Sequence, residues 1–175
     1  MAGTAAASGG GLGGAGAGGR AGSSGSPAGG TGGSAVVLLT GTATADSYEN
    51  TTGKVHPPEH GNDGDGATRW CAANGNTGHY WTVDLGASHT LTRFEVVWEY
   101  PSQAAGLSYL YVVGVSGDGT TFTTVIDKSA NTDTMSTQVS NFPAATTGRY
   151  VRITVTGLPN STTWASFWEA RVYGS

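Results

Sequence analysis

"WTVDLGASHTLTRFEVVWE", residues 81–99, decides the fold. In "WTVDLG", Trp81, Val83 and Leu85 alternate with Thr82 and Asp84. In "RFEVVWE", Phe94, Val96 and Trp98 alternate with Arg93, Glu95 and Glu99. A period of two puts one set of side chains on a core and the other in water, as in strands of a sheet wetted on one face. The two runs are read as separate strands.

The same signal recurs along the chain. "YLYVVGVS" (109–116) carries Tyr109, Tyr111, Val113 and Val115 on one side. The Asp-Gly of "SGDGT" (116–120) marks a hairpin into "TFTTVID" (121–127). "RYVRITVTG" (149–157) sets Val151, Ile153 and Val155 against Arg152, Thr154 and Thr156, and "SFWEARVYG" (166–174) closes the chain in the same manner. No helical period runs beyond a turn or two. Short alternating strands between Gly, Pro, Asn and Asp turns predict an all-β fold, an antiparallel sandwich with its longer loops at the ends.

Residues 1–34 differ from the rest. They hold 15 of the 30 glycines and a single charged residue, Arg20. With almost nothing to bury, such a segment cannot offset its ordering entropy and is expected to be a disordered Gly/Ala/Ser linker. It lacks the basic start and apolar run of a secretory signal. The domain is then 35–175, and a linker of this kind predicts a module covalently tethered to a larger partner. All twelve acidic and seven of the eight basic residues fall in 35–175. That excess of acid, without a basic cluster, predicts neither a nucleic-acid nor an anionic-membrane partner. No apolar stretch approaches a membrane-spanning length. The single Cys71 excludes an internal disulfide.

The irregular stretch 45–80 is too long for an idle connection. Within it, "NDGDGATRWCAANG" (62–75) gathers Asp63, Asp65 and Thr68 on a tightly turning backbone. The loop reads either as an Asx turn or as an oxygen-rich cation site. It is not an EF-hand: with Asp63 at position one, position six is Thr68 and position twelve is Asn74. Cys71 follows Trp70 and reads as an inert buried thiol. His56, His60, His79 and His89 show no metal spacing, and no GxSxG, Walker-type, HExxH or CxxC motif is present. Arg69, Glu99 and Trp164 stand next to strand ends, so a sandwich could bring them to one rim. Guanidinium and carboxylate would hydrogen-bond sugar hydroxyls, and an indole would cover an apolar sugar face. The other reading has Arg69 and Glu99 pairing with each other and Trp164 in the core.

"NDGDGATRWCAANGNTGHYWTVDLG", "VVWEY", "GVSGDGTTFTTV", "GRYVRITVTG" and "ASFWEARVYG", in that order, resemble the discoidin-like, or coagulation-factor C-type, domain over roughly residues 41–174. Within it the chain is most similar to family 32 carbohydrate-binding modules. The resemblance implies a galactose-binding-like β-sandwich, or jelly roll, and a secreted, extracellular, non-catalytic module that anchors a bacterial carbohydrate-active enzyme or surface protein to a glycan. The alternative is a structural or protein-adhesive discoidin-like domain without sugar binding. The resemblance also implies a structural calcium held by Asp63, Asp65, Thr68, the His60 carbonyl and Glu169. Galactose-binding relatives often carry a histidine where this chain has Cys71. The chitosanase-associated branch instead matches Glu49, Arg69 and Glu99, which implies an amino sugar, with Trp164 as the stacking platform.

Overall fold

The alternating segments pair into two antiparallel sheets that share one long strand. The computed structural model describes residues 34–99 and 108–175. The expected linker lies outside these residues except for Ser34. The strands are β1 (Val37–Leu39), β2 (Thr42–Ala45), β3 (Asn50–Thr51), β4 (Lys54–Val55), β5 (Trp70–Cys71), β6 (Tyr80–Trp98), β7 (Leu110–Ser116), β8 (Thr123–Lys128), β9 (Thr137–Asn141), β10 (Thr147–Gly157) and β11 (Ser166–Gly174). One 3-10 turn, Pro58–Gly61, precedes β5. No helix among the described residues is long and apolar enough to cross a membrane.

One sheet runs β8, β7, β10, β6, β2, and the other runs β9, β6, β11. The free edge of β11 is shared by β1 near its end and β5 near its start. The alternating faces meet in the core. Trp81, Val83, Phe94, Val96, Trp98, Tyr111, Val113, Val151, Ile153 and Val155 are all buried, as the period of two requires. Trp81 of one sheet meets Phe167 of the other edge-on, with ring centroids 5.6 Å apart, and Trp98 stacks on Tyr109 at 4.0 Å. The edge-on geometry of the first pair suits the ring quadrupoles.

The runs 81–86 and 93–99 are one strand, not two. β6 pairs with β10 and β2 over its first half and with β11 and β9 over its second. The polar stretch between the runs is a bulge rather than a turn. The register passes from His89↔Gly148 to Asp84↔Tyr150, so residues 85–88 face the single Arg149. Gly86 supplies φ +78° within the bulge. Arg149 forks onto Asp84 at 2.7 Å through both Nε and Nη2, which holds the Asp84 carboxyl down to about 2. Across the ladder, a Cβ on Gly148 would stand 2.1 Å from Val115 Cγ1. Gly148→Ala is therefore expected to cost about 1–3 kcal/mol by overpacking, read as a lower urea midpoint with unchanged slope.

The irregular stretch is held by its tryptophans. Trp70 donates from its indole N–H to the Ser47 carbonyl (3.1 Å) and Trp81 to the Pro58 carbonyl (2.8 Å). Both rings are fully buried, so loop backbone is tied to core side chains at two points.

Candidate functional site

Pairing of β5, β11 and β6 builds one end of the sandwich. Cys71 lies opposite Ser166, Trp70 opposite Phe167, and Phe167 opposite Trp98. Trp70 and Trp98 flank Phe167 from either side with their rings in the core, so their chain neighbours Arg69 and Glu99 turn to the other face, where their side chains meet at 2.8 Å. Trp164 enters from the loop just before β11. Asn160 shapes that loop by accepting from the Thr162 N–H at 2.8 Å, and the Trp164 carbonyl accepts from the Tyr109 hydroxyl at 2.9 Å. Glu49 arrives just before β3, fixed by its own N–H to the Cys71 carbonyl at 2.8 Å.

The result is a cleft of about 270 Å³ lined by Glu49, Lys54, Arg69, Cys71, Glu99, Thr162 and Trp164. All four residues expected at a sugar site line it. Arg69 Nε stands 2.8 Å from Glu99 Oε2, an ion pair in which the N–H is not aimed at the oxygen. The pairing and the shared rim therefore coexist. Arg69 also lies over the Trp168 ring, with 5.8 Å from Cζ to the centroid. Trp164 is half-buried and stands outside the core cluster, so it is not the core residue of the other reading. Glu49 is only 7% exposed, and the ion-pair contact of its carboxylate is His56 Nε2 at 3.8 Å. Burial, then the nearby Arg69, lowers the His56 pKa below the usual histidine value. Among the described residues no Lys or Arg nitrogen lies within 4 Å of the Glu49 carboxylate, although Lys54 and Arg69 line the same solvent-open cleft.

Cys71 is buried, and desolvation pushes its thiol up to about 11. The folded protein is expected to resist iodoacetamide at pH 8 and to be alkylated fully once unfolded; a mass-spectrometric count checks this. Sequence reasoning did not place Lys54 or Thr162 at the site. Lys54 follows Gly53 (φ +80°) at the tip of the short β3 and β4 hairpin. A lysine beside a turn glycine within an otherwise base-poor loop was the available signal.

The expected cation site lies elsewhere. Asp63 Oδ1 accepts from the Asp65 N–H (2.9 Å), Asp63 Oδ2 from the Thr68 hydroxyl (2.7 Å), and Asp65 Oδ1 from the Ala67 N–H (2.9 Å). These acids cap their own loop. Among the described residues no three His, Cys, Asp or Glu side chains are gathered to hold a metal as they lie. Glu169 is nevertheless 2% exposed, and its Oε1 is buried without a hydrogen-bond partner. Burial raises its pKa against the opposing pull of Arg171 and the Gly64 N–H, with Asp63 and Asp65 adding to the rise. A cavity of about 50 Å³ beside it is bounded in part by Asn62, Gly64 and Glu169. Hard oxygen donors around a buried carboxylate whose Oε1 has no partner, with Arg171 Nε 3.9 Å from its Oε2, fit a hard cation in chemistry. His60 sits in the turn Pro58–Gly61 just ahead of this loop.

Residues 42–170 match the F5/8 type C domain. Chitosan-binding module 1 of a chitosanase/glucanase from Paenibacillus sp. IK-5 is 33% identical, with TM-score 0.64, over 78% of this chain and 96% of that one. Module 2 of the same enzyme, solved with chitotriose, is 27% identical, with TM-score 0.64, over 78% and 98%. The CBM32 of AlyQ, solved with 4,5-unsaturated mannuronic acid, is 28% identical, with TM-score 0.64, over 79% and 99%. Against truncated AlyQ with its alginate lyase domain, the chain spans 34% of that length. No curated protein sequence matches the chain.

Proposed function

The chain belongs to the F5/8 type C domain family, with CBM32 modules among its structural neighbours, and we propose that it is a non-catalytic carbohydrate-binding module whose ligand is an amino-sugar or galactose-type residue. One observation carries the reading. Glu49, Arg69, Glu99 and Trp164, distant in sequence, line one solvent-open cleft. The Glu49 carboxylate suits a ligand ammonium, Arg69 and Glu99 suit hydroxyls, and the Trp164 ring covers an apolar sugar face. The chitosan-binding neighbours support the amino-sugar choice. In this reading the module is extracellular, and tethering to a carbohydrate-active enzyme or surface protein turns weak single-site affinity into useful retention. Affinity electrophoresis through soluble chitosan and through a galactoside polymer tests the ligand class; unretarded migration in both contradicts it.

We propose also that Asp63, Asp65, Thr68 and Glu169, with the His60 carbonyl, take up a structural calcium. The ion would offset two of the three carboxylate charges and stiffen the loop. A cation bound only to the folded state at 100 times its dissociation constant adds about 2.7 kcal/mol of stability. Chelator should thus lower the melting temperature, and Asp63→Ala should abolish that response. Identical melting in excess calcium and excess chelator contradicts the proposal.

A further inference from the structure

A polar cluster centred on the buried His79 lies outside the residues that line the cleft. His79 is 8% exposed. Its Nδ1 stands 2.7 Å from Asp46 Oδ2 and 3.1 Å from Ser47 Oγ. Its Nε2 stands 3.0 Å from Asn74 Oδ1. Asn74 Oδ1 also accepts the Asn76 N–H at 2.9 Å, so the amide is oriented with its oxygen toward the ring. Both ring nitrogens therefore face acceptors, and the contact to the Asp46 carboxylate is of the charge-assisted, stronger kind. Asp46 is itself held, since its Oδ1 accepts the Tyr80 N–H at 2.8 Å. The neighbouring Ser47 hydroxyl accepts the Ala73 N–H at 3.3 Å.

The far end of this cluster reaches the cleft. Gly75 lies between Asn74 and Asn76. A Cβ there would stand 3.1 Å from Trp164 Cδ1 and 3.2 Å from Trp164 Nε1. The backbone at Gly75 is thus in close approach to the indole, and the absent side chain is the space that lets the ring sit there.

We infer that Asp46 and His79 are positioning residues for the cleft: their pair fixes residues 73–76, and Gly75 in that segment is the wall against which Trp164 is seated. The inference rests on the carbohydrate reading for its purpose, but not for its structural content. Neither residue lines the cleft, so each acts through Trp164.

The test uses the full chain with two readouts. One is the indole N–H resonance of Trp164, assigned by its loss in Trp164→Ala. The other is retention on chitosan oligosaccharide. His79→Gln should shift or broaden the Trp164 resonance while leaving the indoles of Trp81 and Trp98 in place. Retention should weaken about tenfold, the worth of one charge-assisted hydrogen bond lost from the support. Asp46→Asn, which keeps shape and removes charge, should act in the same direction. Gly75→Ala should move the Trp164 resonance without touching His79. A folded His79→Gln or Asp46→Asn protein with an unmoved Trp164 resonance overturns the inference. So does an unmoved resonance in Gly75→Ala. If the unaltered chain retains no sugar at all, the carbohydrate reading falls, and the Trp164 resonance alone decides whether the support is real.

Discussion

Trp164→Ala should abolish glycan retention while leaving the melting temperature within a few degrees of the parent. The ring is half-buried, lies outside the core cluster and forms one side of the cleft. Its carbonyl, which accepts from Tyr109, survives the substitution. A central aromatic of a binding site contributes 2 kcal/mol or more when truncated, so retention should fall about 30-fold or further. Affinity electrophoresis and thermal unfolding of one preparation separate the two effects. Arg69→Ala is a less clean probe, because it strands Glu99, whose Oε2 is 2.8 Å from Arg69 Nε. Full retention by Trp164→Ala removes this site assignment and leaves the fold intact.

Trp81→Ala should show the opposite pattern, a large loss of stability. The ring is fully buried, meets Phe167 edge-on and donates to the Pro58 carbonyl. Truncating a buried aromatic costs about 3–5 kcal/mol. The freed Pro58 carbonyl adds the cost of an unmet acceptor. The combined loss corresponds to a fall of roughly 10–30 °C in melting temperature for a domain of this size. Because that hydrogen bond anchors the turn Pro58–Gly61, proteolysis should first nick residues near it. A Trp81→Ala protein melting with the parent contradicts the core described here.

The sandwich was legible because its signal is local. Trp81, Val83, Phe94, Val96, Val151, Ile153 and Val155 announce their face by period alone, and all are buried. The continuity of β6 was not legible. Residues 85–88 have the composition of a turn, and only the register against β10 makes them a bulge. Places at strand ends suggested a shared rim for Arg69, Glu99 and Trp164, and family resemblance added Glu49, but neither established the full convergence. Spacing cannot supply it, because the distances are set by which strands β11 pairs with. Likewise the two readings of Arg69 proved compatible, which no pattern of residues indicates. Lys54, Thr162 and the cluster from Asp46 to Gly75 depend on loop conformation and rotamers, and a one-dimensional pattern carries neither.

Whether the cleft holds sugar is settled by binding, with folding monitored beside it. A glycan array probed with the full chain and with Trp164→Ala, both shown to melt cooperatively, makes that comparison. Retention of amino-sugar or galactoside glycans by the parent, lost in the variant, is the expected result. A folded parent that retains no glycan, or a variant that retains the same glycans equally well, contradicts it.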